Sequence, residues 1–222
     1  MTDERFADRE DAGRSLSDAL GSYRDAGETV VYGLARGGVP VAAALARSLN
    51  LPLDVLAVRK VGAPGNPELA IGAVTNVGGL VTNREVVNSL GVSQDDLQEA
   101  ADRERDELDR QTSAFGGESE RVSPEGRTVI LVDDGLATGA SMEAAVDAVR
   151  TSGARRVVVA VPVASSSALE RVERVADEVR CTLTPPTFMA VGQWYEDFSQ
   201  TSNEEVSHIL GAFSSGSADS TR

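Results

Sequence analysis

The sequence predicts an α/β fold, a doubly wound and mostly parallel sheet, with a β-hairpin and a small hood added to it. Three observations carry that prediction. Apolar, β-branched runs at 29–35, 53–58, 128–132 and 156–163 read as buried strands. Helix-length amphipathic segments separate most of them, and such alternation implies a parallel sheet with right-handed crossovers. The run at 128–132 leads into Asp133-Asp134-Gly135 and a Gly/Thr/Ser turn. Two acids thus sit at a strand's carboxyl end, where open α/β sheets bind ligands.

The elements follow in order. Residues 4–26 predict an amphipathic helix with Phe6, Leu16, Leu20 and Tyr23 as apolar contacts. A strand over 30–35 precedes a loop at Arg36-Gly37-Gly38, and Pro40 suits the first turn of a helix over about 40–49. The second strand, 53–58, ends in Val58-Arg59-Lys60. The span 60–83 predicts a long loop and then a hairpin, 69–76 with 80–82, around Gly78-Gly79. A loop of that length in a compact domain is functional or mobile. A short helix over 84–90 precedes a long charged one over 93–112, with Ser93 as N-cap and Asp95 and Asp96 in its first turn. A polar linker spans 117–126. Beyond it come a strand (128–133), a helix (139–151), a strand (156–161), a helix (166–178) and a strand (180–183). Pro185-Pro186 breaks the chain before a last strand at 188–191 and a helix over 203–211. Residues 1–213 read as one domain, with 185–213 as the hood and 214–222 as a disordered tail.

Composition narrows the function. A chain of 222 residues, 41% hydrophobic, can bury a core. Its one cysteine, Cys181, excludes an internal disulfide and a cysteine-based zinc site. Its one histidine, His208, disfavours a His-rich metal site or a Ser-His-Asp triad. No apolar run is long enough to span a bilayer and no signal peptide is evident, so the expectation is a cytoplasmic protein without a membrane partner. The net charge of −14 opposes nucleic-acid binding. Of 21 basic residues one is a lysine, Lys60. Abundant carboxylates with almost no lysine suit a halophilic protein, and a base-composition bias toward arginine suits the same pattern.

Asp133-Asp134 alone has a plain reading as two turn acids. The hydroxyl- and glycine-rich Thr138-Gly139-Ala140-Ser141 that follows has the spacing of a phosphate-binding turn. There small residues admit close backbone approach and a helix start offers free N–H groups. Together they suit a sugar phosphate with vicinal hydroxyls, or a metal. The Walker pattern is absent, and no G-x-G-x-x-G follows a strand.

The segment Val129-Ile-Leu-Val-Asp-Asp-Gly-Leu-Ala-Thr-Gly-Ala-Ser141 closely resembles the signature of type I phosphoribosyltransferases, whose donor is 5-phosphoribosyl 1-pyrophosphate (PRPP). The resemblance implies that Asp133 and Asp134 hold the ribose hydroxyls, in part through Mg²⁺. It implies that Ala137, Thr138, Gly139, Ala140 and Ser141 hold the 5′-phosphate. Gly33-Leu-Ala-Arg-Gly-Gly-Val-Pro40 resembles the family's pyrophosphate loop, closest to bacterial xanthine/guanine enzymes. Ala35, Arg36, Gly37 and Gly38 are then pyrophosphate contacts, with a cis peptide expected at Ala35–Arg36. Arg59 and Lys60 resemble the Arg-Lys pair by which adenine and orotate enzymes grip pyrophosphate. The span 62–72 takes the place of the family's mobile catalytic loop. That loop closes over the site.

Arg59 through Val74, Phe6 through Arg14 and Val191 through Phe198 also resemble a group of stand-alone phosphoribosyltransferases. Phe188, Trp194, Tyr195 and Glu196 are the acceptor candidates; their aromatic rings stack on a base or simply pack the hood. Ala137 stands where hypoxanthine/guanine enzymes carry an acid, which argues against copying their acid/base scheme. The implied protein is a Mg²⁺-assisted phosphoribosyltransferase with a small-molecule acceptor, a purine favoured, and a homodimer like many members. The alternative is a non-catalytic regulator that senses PRPP on the same fold.

Overall fold

The computed structural model describes residues 5–115 and 122–216. Five parallel strands form the main sheet: β1 (Thr29–Leu34), β2 (Leu53–Leu56), β6 (Thr128–Val132), β7 (Arg156–Val163) and β8 (Glu178–Leu183), in the order β2-β1-β6-β7-β8. The order runs outward in both directions from the β1–β6 pair. That junction is the topological switch point where such sheets leave a crevice.

The central strands β1, β6 and β7 read as near-continuous apolar runs because helices cover both faces, whereas the edge strand β8 is half-exposed. Side chains alternate in strands, and the core divides accordingly. Val30, Tyr32, Val129 and Leu131 face one layer, with α5 (Ala140–Thr151) and α6 (Ser166–Glu173). Val31, Ile130, Val132 and Val158 face the other, with α2 (Gly38–Leu49) and, at its edge, α7 (Asn203–Gly216).

The expected amphipathic helix over 4–26 is much shorter. Helix α1 spans Arg9–Ser15, and a single 3₁₀ turn, Gly21–Tyr23, follows. Asp8 ends the segment before α1 by capping it, its side chain accepting from the Asp11 N–H at 2.8 Å. Leu16 and Leu20 are buried as expected. Gly13 lets α1 lie directly on α2, since a Cβ there would fall 2.3 Å from the Val41 carbonyl oxygen.

The expected hairpin of 69–76 with 80–82 is present, but the stretch before it, expected to be a loop, is also strand. Strands β3 (Val58–Ala63), β4 (Asn66–Thr75) and β5 (Leu80–Thr82) pair antiparallel in that order. Pro64-Gly65, with Gly65 at φ +78°, makes the turn between β3 and β4. Helices α3 (Arg84–Leu90) and α4 (Gln94–Ser113) complete this lobe. It has its own core of Val61, Ile71, Val74, Leu97, Ala101 and Leu108. Alternation is masked there because Gly62, Gly65 and Gly72 interrupt it, while a Cβ on Gly62 or Gly72 would fall 2.5 Å from the Pro67 or Val81 carbonyl oxygen.

Part of the expected linker lies outside the described residues. Its visible end is tied down at Val122. The Val122 N–H donates to Asp54 Oδ2 at 2.9 Å, and the Tyr32 hydroxyl donates to the Val122 carbonyl. The expected strand at 188–191 is absent: a 3₁₀ turn, Val191–Trp194, lies there instead. The helix expected over 166–178 stops at Glu173, and α7 continues past 211 to Gly216. The expected disordered tail is therefore helical over 214–216, and 217–222 lie outside the described residues. Among the described residues no helix is long and apolar enough to cross a membrane.

Candidate functional site

Register places two loops side by side. Gly33 of β1 is opposite Val132 of β6. One strand therefore delivers Ala35–Arg36 and the other Asp133–Asp134 to the same sheet edge. The Ala35–Arg36 peptide is cis, as the resemblance implied. Gly37 and Gly38 then pass against the acids. A Cβ on Gly37 would meet Asp134 Oδ2 at 2.1 Å, and one on Gly38 would meet the Val132 carbonyl oxygen at 2.5 Å and Asp133 Cα at 2.8 Å. Only glycine permits loop and acids to share this edge.

Beyond the acids, Gly135 and Leu136 are buried. The turn Ala137-Thr138-Gly139-Ala140-Ser141 leaves every residue exposed except Gly139. Gly139 has φ +75°, and a Cβ on it would lie 3.1 Å from the Ala168 carbonyl oxygen. The turn is docked on the start of α6: Ser165 Oγ donates to the Ala137 carbonyl at 2.9 Å, and the Ser165 N–H to that of Leu136 at 2.9 Å. Helix α5 starts at Ala140, so its first N–H groups open at this turn beside the exposed Thr138 and Ser141, an arrangement suited to an anion.

Asp133 and Asp134 are partly buried neighbours. Burial first, then the Asp134 charge, pushes the Asp133 carboxyl well above its ordinary range. Burial also raises Asp134, and Arg9 opposes that rise. Arg9 donates to Asp134 Oδ2 from Nε at 3.0 Å and pairs through Nη2 at 2.9 Å. Sequence reasoning passed over this residue. A helix expected over 4–26 hid its place as the first residue of α1, where a cation opposes the helix dipole.

The cations expected to grip pyrophosphate are engaged with protein partners. Arg59 and Lys60 belong to β3, not to the end of β2, because the chain leaves the parallel sheet after Leu56. Arg59 Nε donates to Glu104 Oε2 at 2.8 Å, and Lys60 Nζ to Glu68 Oε2 at 3.3 Å. Arg36 Nη1 donates to Asn203 Oδ1 at 3.4 Å. Each cation is thus held by its own lobe or by α7.

Among the acceptor candidates, Tyr195 is 4% exposed. Its ring packs between Phe6 (5.6 Å) and Phe198 (5.0 Å), and its hydroxyl donates to the Asp134 carbonyl at 2.6 Å. It packs the hood and cannot also present a face to a base. Burial, with the Asp134 charge, pushes its hydroxyl pKa up, so it stays a neutral donor. Glu196 is exposed and uses its N–H on the Phe6 carbonyl. Phe188 is half-buried. Trp194 lines a cavity of about 390 Å³ with Arg5, Thr187, Met189 and Gln193. Its Nε1 is buried with no hydrogen-bond partner among the described residues.

The donor set fits one kind of metal. Among the described residues no group of three or more His, Cys, Asp or Glu side chains is placed to hold an ion. Two carboxylates, one already paired with Arg9, suit a Mg²⁺ that keeps waters and takes substrate oxygens.

Comparison with known proteins places the chain in a family. Residues 8–198 match the model of the phosphoribosyl transferase domain. A Mycobacterium tuberculosis (strain H37Rv) protein, named provisionally a phosphoribosyl transferase, is 44% identical over 92% of this chain and 46% of its own length. The chain thus spans about half the length of that relative. The crystal structure of TT1426 from Thermus thermophilus is 47% identical, with TM-score 0.84, over 94% of this chain and 99% of that one. A purine phosphoribosyltransferase from Pyrococcus horikoshii is far more distant, 19% identical with TM-score 0.44 over 78% of this chain and 81% of its own.

Proposed function

The chain belongs to the phosphoribosyl transferase family, and on that premise we propose that it moves the phosphoribosyl group of PRPP onto a nitrogen nucleophile. The bond from ribose C1 to pyrophosphate breaks, a C1–N bond forms, and the nitrogen's proton leaves to solvent. A nucleobase is the acceptor, a purine first. The observation that carries this reading is the close passage of Gly37-Gly38 against Asp133-Asp134 at the switch point.

The residues divide the work. Asp133 and Asp134 accept from the ribose 2′- and 3′-hydroxyls. The turn Ala137–Ser141 and the start of α5 hold the 5′-phosphate, and Ala35–Gly38 present backbone N–H groups to pyrophosphate. Arg59 and Lys60, on a hairpin lobe, reach pyrophosphate by leaving Glu104 and Glu68. Those pairs are partly exposed, so breaking them costs little. Asp133 and Asp134 would help hold a Mg²⁺ brought with PRPP, which would supply charge neutralisation for the leaving pyrophosphate. Positioning and electrostatic complementarity supply most of the rate in such a site. The acidic, lysine-poor surface suits high salt, and the working unit is a homodimer.

The test is a pyrophosphate-release screen with Mg-PRPP against purine and pyrimidine bases in high salt. One base is expected to release pyrophosphate, and Asp134→Asn or Lys60→Ala to cut that turnover strongly while the protein stays folded. Absence of both heat protection by PRPP and pyrophosphate release overturns the reading. The pairing of Arg59 and Lys60 with carboxylates also suits a PRPP sensor. Heat protection by PRPP with no release under any base selects that alternative.

A further inference from the structure

Arg9 is not among the residues that the resemblance assigns, yet it touches the acid pair and the hood and lies beside the glycine loop. Nε and Nη2 both address one oxygen of Asp134, Oδ2, and Oδ1 takes part in neither bond. The third nitrogen, Nη1, donates to the Ser199 carbonyl at 2.7 Å. The guanidinium lies over the Phe198 ring, 4.0 Å from its centroid. A Cβ on Gly37 would lie 3.5 Å from Nε, so the pyrophosphate loop is the fourth neighbour. The Arg9 and Asp134 side chains are 12% and 15% exposed.

Two segments far apart in sequence, 6–9 and 194–199, build this arrangement together. The Phe6 N–H donates to the Trp194 carbonyl at 2.8 Å, Glu196 N–H to Phe6 at 2.9 Å, and Asp197 N–H to Ala7 at 3.0 Å. One end brings Arg9 to the Asp134 carboxylate. The other brings Tyr195 to the Asp134 carbonyl at 2.6 Å and Phe198 under the guanidinium. Asp134 is held by its main chain and its side chain at once, from segments 125 and 61 residues away.

We infer that Arg9 is the positioning residue of the acid pair: braced by Phe198 and Ser199, it fixes the Asp134 carboxylate in the orientation that receives ribose. The inference rests on the PRPP reading above. A planar, forked cation is required, because a lysine has neither the second nitrogen for Ser199 nor a flat face for Phe198. Arg9 acts through Asp134 and not on pyrophosphate.

That division gives the test. Calorimetric affinities are measured for Mg-PRPP, ribose 5-phosphate and Mg-pyrophosphate on wild type, Arg9→Ala and Arg9→Lys, with melting temperatures alongside. Arg9→Ala is expected to weaken both ribose-bearing ligands by roughly 10- to 100-fold, the worth of a charge-assisted pair. Mg-pyrophosphate affinity stays near wild type. Arg9→Lys recovers part of the loss, and millimolar ethylguanidinium restores Arg9→Ala. Equal weakening of all three ligands means a general structural role and overturns the inference, as does unchanged or tighter PRPP binding. If Arg9→Ala fails to fold, Arg9→Lys must show the same ligand split, or the inference falls. Wild type that binds PRPP while the variants bind it equally well removes Arg9 alone; wild type that does not bind PRPP removes the donor reading itself.

Discussion

Replacing Gly37 by alanine tests the shared sheet edge directly. Gly37 has φ −60° and ψ −31°, a backbone conformation that any residue adopts. The cost of Gly37→Ala is therefore steric and local. The new methyl would fall 2.1 Å from Asp134 Oδ2 and 2.9 Å from its Cγ. The carboxylate cannot simply swing aside, because Arg9 holds it at 2.9–3.0 Å. Either the loop moves or the pair breaks. Forcing a methyl into a packed site costs about 2 kcal/mol. For a chain of this size each kcal/mol is worth about 2–4 °C, so the melting temperature drops by roughly 4–8 °C. Gly27→Ala is the control, since a Cβ there meets nothing within 4 Å; it should change the melting temperature by no more than about a degree. The assay is differential scanning calorimetry with and without Mg-PRPP. Gly37→Ala is expected to lose the stabilisation by PRPP as well as the intrinsic stability. A variant that melts with wild type and is protected equally by PRPP would refute the claim that the loop and the acids form one site.

The remaining expectations concern how the site is supported. Gly13→Ala should destabilise by about 2 kcal/mol or more, because its Cβ would sit 2.3 Å from the Val41 carbonyl oxygen; it should also weaken Mg-PRPP binding by displacing α1 and Arg9, measured by urea unfolding and calorimetry. Trp194→Phe keeps an aromatic ring and removes a buried donor without a partner among the described residues, so unfolding should show no loss beyond about 1 kcal/mol and a gain is expected if the shape is kept. The Asp177 carboxyl is held below its ordinary range, first by the Val157 N–H at 2.7 Å and further by Arg150. A depressed carboxyl stabilises the fold above its unfolded-state pKa, and that stability is lost as pH falls through the folded value. Asp177→Asn should therefore cost about 1 kcal/mol at neutral pH, with the gap to wild type closing as the solution is acidified below the usual carboxylate range.

Some parts of this fold were legible because their signals are local. The central parallel strands β1, β6 and β7 announced themselves as near-continuous apolar runs, since a strand buried on both faces has no polar side to show. Ser93 at the start of α4 was readable for the same reason: its hydroxyl serves the Asp96 N–H three residues on, at 3.1 Å. The lobe formed by β3, β4 and β5 was harder. Glycines that it needs for close strand packing look, in one dimension, like the glycines of a loop. The first helix was overextended because Leu16 and Leu20 are buried without being helical, so an apolar spacing survived where the backbone does not follow it.

The sequence by itself determined the sheet, the acid pair at its edge, the glycine loop beside it and the turn that opens α5. Each depends on contiguous residues whose backbone demands are their own. Tertiary structure alone decided which cation meets which acid. Charge and spacing cannot tell that Arg59 turns to Glu104 and Lys60 to Glu68, or that Arg9 crosses 125 residues of sequence to reach Asp134. Such long side chains reach many partners, so the choice follows from packing: α1 on α2 and segment 6–7 on 194–197 for Arg9, α4 on β3 for Arg59. The same packing commits Tyr195 to the acid pair.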